Sequence, residues 1–295
     1  MTTLPIKWEK AACHICGRQA NEPVTYRGQA LISGQFGYEI HPVICDCGLI
    51  YLNPRWTATT YDTFYQQFYD DLYRLEIKPD YGIEGVVKHM VQVWERAVCQ
   101  FKKPPLNILD IGCGSGHGLR YLGERIPEAA LAGIEASPEC RRTLRSKIGA
   151  EVIDADINGN WPQRCQGRFD FIVMRHVAEH MLAPVVSLRR IREALSPQGL
   201  IYIAVPDMMH PRTVLRDYDK WWEYWFRAVH PYYYCRETLF FTLSMAGLTP
   251  VSWGEENEEI WVMAAATPRQ EQKINAQLRD KQIHLLKELI PQELT

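Results

Sequence analysis

The sequence predicts an α/β fold: a doubly wound, mostly parallel sheet covered by helices, with a small cysteine-bearing β module on its amino-terminal side. Three observations predict it. From Leu106 onward, short apolar runs alternate with amphipathic stretches, the pattern of parallel strands buried on both faces by helices. The glycine cluster Gly112-Cys-Gly-Ser-Gly116 closes the first apolar run and opens a helical one. Near the other end, Leu248–Trp253 and Ile260–Ala266 are separated only by a short polar turn, so those two strands must be antiparallel.

Composition sets the outer limits. The chain has 295 residues, 46% hydrophobic and 23% charged, enough to bury a core without disulfide staples. Lys and Arg at 33 nearly cancel Asp and Glu at 35, leaving −2, so no basic excess points to a nucleic-acid partner. No run of 18 apolar residues occurs and the mean hydropathy is −0.26, which argues against a membrane partner. The opening MTTLPIKWEK lacks a basic stretch followed by an apolar one. Nine cysteines is an odd number, better suited to free thiols or metal ligands than to disulfides. These features predict a cytoplasmic enzyme.

Taken in order, residues 1–56 hold four of the cysteines, scattered glycines and no helical periodicity. Residues 57–105 form a helical connector: Phe64, Phe68 and Leu72 recur at helical spacing, and Val86 to Phe101 repeats the pattern before Pro104-Pro105 stops it. The main domain covers 106–267. Its strands read at Leu106–Ile111, Leu131–Glu135, Glu151–Ala155, Phe169–Met174 and Gly199–Val205, its helices at His117–Arg125, Pro138–Lys147 and Ala183–Leu195. An aromatic insertion, 207–235, precedes a helix at Arg236–Ala246 and the terminal hairpin. Residues 268–295 read as a charged helical tail.

The glycine loop sets the cofactor. A dinucleotide fingerprint needs G-x-G-x-x-G, and here His117 and Leu119 occupy the positions where the last glycine would fall. What stands instead is Asp110-x-Gly112-x-Gly114-x-Gly116, with an acid inside the strand end. Nineteen residues on, Glu135 ends the second strand, where an acid can accept charge-assisted hydrogen bonds from ribose hydroxyls. Asp156, after the third strand, can receive an adenine amino group, with Asp154 competing for the role.

On these residues, and on Phe169-Asp-Phe-Ile-Val-Met-Arg-His-Val-Ala-Glu-His180 and Leu195-Ser-Pro-Gln-Gly-Leu, the stretch from Leu106 to Thr267 resembles class I S-adenosylmethionine-dependent methyltransferases. The resemblance implies a Rossmann-like seven-stranded sheet with an antiparallel last strand. It also implies that Asp110, Gly112 and Gly114 line the methionine end of S-adenosylmethionine, Glu135 its ribose and Asp156 its adenine. The segment after the fourth strand, with Arg175, would lie beside the sulfonium. Gln198 stands where the family usually has a glycine, a departure that touches only a turn.

Cys13-His-Ile-Cys16-Gly17 is a knuckle of two thiols two residues apart, and Cys45-Asp-Cys47-Gly48 follows. Four thiolates suit one tetrahedral, structural zinc. The stretch is similar to the zinc-knuckle module preceding the methyltransferase domain in bacterial sugar and natural-product methyltransferases. Those carry C-x2-C in the second half, so the shorter C-x-C here leaves His41 or His14 as substitutes for Cys45.

His176-Val-Ala-Glu179-His180 also matches H-x-x-E-H, an inverted zinc-peptidase signature. That reading needs a helix through the motif, whereas His176 directly follows a buried strand. The insertion Asp217 to Tyr234 is dense in aromatics and follows the fifth strand, hence lies at the ligand edge of the sheet. His180, His230 and His176 are the candidate general bases for an oxygen acceptor, in that order. The expected acceptor is a small molecule, with a sugar or sugar-linked intermediate favoured by the knuckle resemblance. A peptide or protein acceptor, or a binding protein with an inactive domain, are the rival readings.

Overall fold

The computed structural model describes residues 4–26, 29–30, 38–69, 83–207, 226–256, 259–267 and 275–288. The central sheet starts with β7 (Asn107–Ile111), an apolar run buried on both faces because helices cover both. It pairs in parallel with β8 (Ala130–Ile134) on one side and β10 (Phe169–Arg175) on the other. Beyond β8 lies β9 (Glu151–Val152); beyond β10 lies β11 (Leu195–Pro206). The hairpin β13 (Leu248–Glu256) and β14 (Glu259–Ala266) completes the order β13-β14-β11-β10-β7-β8-β9. Only β14 opposes its neighbours, slotted antiparallel between β11 and β13. The seven strands and the antiparallel last strand are as the sequence predicts.

Successive strands leave β7 in one direction to β8 and in the other to β10, so the order reverses there and opens a crevice at the carboxyl ends. The covering helices are α2 (Ile83–Val98), α3 (His117–Arg125), α4 (Pro138–Thr143), α5 (Pro184–Ala194) and α6 (Arg236–Ala246). Ser137 caps α4 by accepting the Cys140 N–H at 3.1 Å. Boundaries shift where local bonding competes with the sheet. The third strand is predicted to reach Ala155, yet β9 stops at Val152, because the Ala155 N–H turns back to the Ile153 carbonyl. Both hairpin strands run further into the polar turn than expected, through Glu256 and from Glu259.

The amino-terminal residues build small antiparallel sheets. β1 (Trp8–Glu9) pairs with β6 (Arg55–Trp56), β2 (Thr25–Tyr26) with β3 (Gln29–Ala30), and β4 (Pro42–Ile44) with β5 (Ile50–Leu52). The third strand of the last sheet comes from far along the chain: β12 (Tyr232–Tyr233) sets Tyr232 opposite Tyr51 and Tyr233 opposite Ile50. After β6 comes α1 (Ala58–Thr63), which continues as a wider helical turn through Phe68. Most of the aromatic insertion, including Asp217 to Trp225, lies outside the described residues. Its described aromatics, Phe226, Tyr232, Tyr233 and Tyr234, are all buried core rather than an open wall.

Within the tail stands α7 (Leu278–Glu288). Leu278, Leu285 and Leu286 bury themselves in a cluster with Leu4, Val24, Ile40, Ile50, Trp56 and Phe226. Leu278 presses on Gly48, where a Cβ would stand 2.7 Å from its Cγ. Among the described residues no helix is long and apolar enough to cross a membrane.

Candidate active site

The loop after β7 turns on glycines. Gly112, Gly114 and Gly116 have φ of 73°, 54° and 81°, left-handed values that side-chain-bearing residues rarely adopt. Around Gly112 a Cβ would meet Val177 Cγ2 at 2.6 Å, whereas above Gly114 nothing lies within 4 Å. The loop thus presents bare backbone to open space at the carboxyl edge of the sheet.

Glu135 follows β8 and turns onto this loop. Its Oε2 accepts the Gly114 N–H at 2.8 Å and its Oε1 the Ser137 N–H at 2.9 Å. These two bonds fix the orientation of the carboxylate against the loop. Asp110, in β7, is 6% exposed; burial first, and the Glu135 charge second, push its carboxyl up to about 8. Asp156 is exposed, and its Oδ1 accepts the Asn158 N–H at 2.8 Å, closing an Asx turn. Asp154 is also exposed, with Arg141 Nη1 at 3.3 Å.

At the end of β10 stands a tight charged group. Arg175 pairs with Glu259, the first residue of β14, and His176 Nε2 lies 2.7 Å from Glu259 Oε1. His176 has φ of 53°, the one non-glycine left-handed residue among those described. Burial by itself would raise Glu259, but contact with His176 and Arg175 outweighs it and holds the carboxyl at about 2. Glu259 was not among the residues singled out in the sequence. The antiparallel last strand was the available signal: it must begin at the carboxyl edge, beside the end of β11, where Pro206 faces Glu259.

A short turn, Ala178–His180, carries the next residues over the crevice. His180 Nδ1 lies 2.7 Å from the Val229 carbonyl and 2.9 Å from the Tyr65 hydroxyl. A carbonyl only accepts, so Nδ1 carries the proton and Nε2 the lone pair. Burial lowers the His180 pKa to about 4. The His180 and His230 rings meet edge to face with centroids 4.7 Å apart. Glu179 Oε1 lies 3.9 Å from His180 Nε2, its side chain 3% exposed, and burial pushes its carboxyl up to about 8. Thus His180 and His230 are brought together, while His176 belongs to the Glu259 group.

Away from this edge, the four amino-terminal cysteines converge, with all sulfurs within 4.8 Å of one another. Cys13 and Cys47 Sγ stand 3.5 Å apart, Cys16 and Cys45 3.3 Å. Two turns place them: the Gly17 N–H bonds the Cys13 carbonyl and the Gly48 N–H bonds the Cys45 carbonyl, both at 2.8 Å. The second turn is one residue tighter, yet with Gly48 at φ 85° it still aims both sulfurs inward. His14 Nε2 bonds Thr242 Oγ1 at 2.9 Å instead, and His41 Nε2 lies 4.0 Å from Glu39.

A family profile described as a methyltransferase domain matches residues 87–252. Among curated proteins, trans-aconitate 2-methyltransferase of Rhodopseudomonas palustris is 30% identical over 106 residues, 35% of this chain and 40% of the relative. The enzyme of that name from Escherichia coli is 29% identical over 119 residues, 39% and 45% of the two chains. The chain therefore spans less than half the length of these relatives. Of solved structures, 1,6-didemethyltoxoflavin-N1-methyltransferase from Burkholderia thailandensis, bound to its acceptor and S-adenosylhomocysteine, superposes with a TM-score of 0.53 at 15% identity. That match covers 84% of this chain and 100% of the other. The plantazolicin methyltransferase BpumL, bound to an acceptor analogue and S-adenosylhomocysteine, gives 0.51 at 21%, covering 70% and 95%. At such identities these two structures show a common fold.

Proposed function

Because the chain belongs to the methyltransferase-domain family, we propose that it transfers a methyl group from S-adenosylmethionine to a small-molecule acceptor. The observation that carries this reading is the glycine loop closed on Glu135 at the switch point of the sheet, with open space above Gly114. The donor supplies an electrophilic methyl on a sulfonium. Its methionine end would lie along Gly112 and Gly114, over the buried carboxyl of Asp110. Glu135, oriented by two backbone N–H groups at the carboxyl edge, would accept hydrogen bonds from the ribose hydroxyls. Asp156 keeps Oδ2 for an adenine amino group while Oδ1 holds its turn. Arg175 at the end of β10 and Glu259 at the start of β14 would flank the sulfonium.

The chain's own contribution to the reaction is alignment and exclusion of water, with proton removal added when the acceptor atom is oxygen. His180, His230 and His176 are the groups at that edge able to take the proton. The relatives' names carry trans-aconitate and toxoflavin-precursor acceptors. A sugar acceptor therefore rests on the cysteine module alone. That module we read as a structural zinc site of Cys13, Cys16, Cys45 and Cys47. Zinc-bound sulfurs at about 2.3 Å stand about 3.8 Å apart in a tetrahedron, close to the spacing observed.

Calorimetry with S-adenosylmethionine, followed by mass spectrometry of a lysate given enzyme and labelled donor, tests the reading. One donor per chain and a labelled small molecule are expected. An absence of donor binding would leave a non-catalytic protein. A labelled polypeptide would move the acceptor to the rival class. Alanine at each of the three histidines should then cost turnover about 10²–10⁴-fold at whichever one is the base.

A further inference from the structure

We propose that Glu179, His180 and His230 form a second metal site, for one divalent transition cation, separate from the cysteine cluster. One ligand atom from each lies within 4.8 Å of the others, a spacing that a single cation at the centre would satisfy. Glu179 supplies the independent observation. Both of its carboxylate oxygens are buried, and beyond a contact with Glu179's own backbone N–H neither has a hydrogen-bond partner among the described residues. A carboxyl withdrawn from water with nothing to bond is costly, and proteins keep such a group where something else fills the gap.

His180 is prepared for the same task. Its Nδ1 proton is committed to the Val229 carbonyl, with the Tyr65 hydroxyl beside it, so Nε2 is the metal-competent nitrogen. That nitrogen is the one facing Glu179, 3.9 Å from Oε1. A backbone carbonyl on the far ring nitrogen is the usual outer support of a metal-bound imidazole. His230 comes in from the chain just before β12, ring edge to ring face against His180.

Two imidazoles and one carboxylate suit zinc, iron, cobalt or nickel rather than calcium or magnesium. Three protein ligands also leave at least one coordination position open. The site sits on the turn directly after β10, at the carboxyl edge where the crevice opens. The open position would take an oxygen of the acceptor, which selects for acceptors that present a hydroxyl, enol or carboxylate oxygen; with His180 and His230 held on the cation, His176 is the histidine left to take the proton. Both roles rest on the proposed methyl transfer; binding of the cation does not.

The competing arrangement uses Arg227, which is buried and acts electrostatically on Glu179. In that case the guanidinium supplies the positive charge and no cation enters. Titrating the full-length, zinc-loaded protein with cobalt(II) separates the two. One additional cobalt per chain is expected, with weak visible bands and no sulfur-to-cobalt charge-transfer band. In Glu179→Gln and in His230→Gln its affinity should fall more than about 100-fold, beyond the loss of an outer-shell partner. No additional cobalt in wild type would overturn the proposal without needing any variant. Equal binding by a folded Glu179→Gln, or a charge-transfer band showing exchange into the cysteines, would overturn it too. Donor calorimetry on the same samples keeps the outcomes apart: a protein that binds donor but no cobalt loses this site and retains its proposed reaction.

Discussion

Glu135 fastens the glycine loop through the Gly114 N–H, and on the proposed function the same carboxylate also binds the donor's ribose. Replacing one of its oxygens by an amide sets a donor against the N–H of Gly114 or Ser137. We expect Glu135→Gln to weaken S-adenosylmethionine binding on the order of 10- to 100-fold, from about 1.5–3 kcal/mol per charged hydrogen bond. Calorimetry checks it, and unchanged affinity would remove Glu135 from the cofactor site. Asp110 gives a pH signature. Its folded pKa, about 8, lies above the ordinary 3.8, so the folded state holds the proton more tightly. Its contribution to stability is full below about 3.8 and is lost as pH rises toward 8, at about 1.4 kcal/mol per unit of separation. Urea unfolding of donor-free protein should show lower stability at pH 9 than at pH 5, with the difference reduced in Asp110→Asn. At this scale the sequence made Glu135 legible by its distance from the loop. Glu259 was hidden because its partners, Arg175 and His176, stand at the end of β10, one strand removed from β14 in the sheet, and only the fold brings their side chains to it.

The two knuckles show how turns gather thiols. The sequence displays four thiols ahead of two glycines, with Cys45 open as a ligand because the second spacing is short. A left-handed Gly48 lets that two-residue spacing turn both sulfurs inward, with Cys45 Sγ 3.3 Å from Cys16 Sγ, which supports Cys45 in the proposed site. Metal ligation in small modules is worth about 10–16 kcal/mol of apparent folding energy. We therefore expect about one zinc per chain, lost in Cys13→Ser. Hydrogen exchange should then rise at β4 and β5, and also at β12, which is bonded to β5. A zinc-free variant protected at all three would refute the site. The long amphipathic and both-face-apolar elements were readable to within a few residues. β12 was not: a two-residue strand carries no periodicity, and its partner is far away in the chain.

Across the whole molecule, the order of the sheet follows from features the sequence displays: alternating strands and helices, then a tight hairpin. Those features also locate the crevice at the carboxyl ends of the strands. The contacts that tie the amino-terminal module to the rest were not legible there. Among them are α7 against Gly48, β12 paired with β5, and His14 bonded to Thr242, all with partners late in the chain. None depends on a local pattern, only on buried surface and hydrogen bonds that meet in the fold.

The strand exchange between β5 and β12 bears on how such a protein can be recombined. A cut between the amino-terminal module and the methyltransferase domain looks natural on paper, like a joint between two interchangeable cassettes. Here the module's sheet is completed by the segment that follows His230, inside the domain it would be swapped onto. A graft that brought only the first part of the chain would arrive with an unpaired edge and leave another behind. The module and its distant strand form one heritable unit, to be exchanged together or not at all.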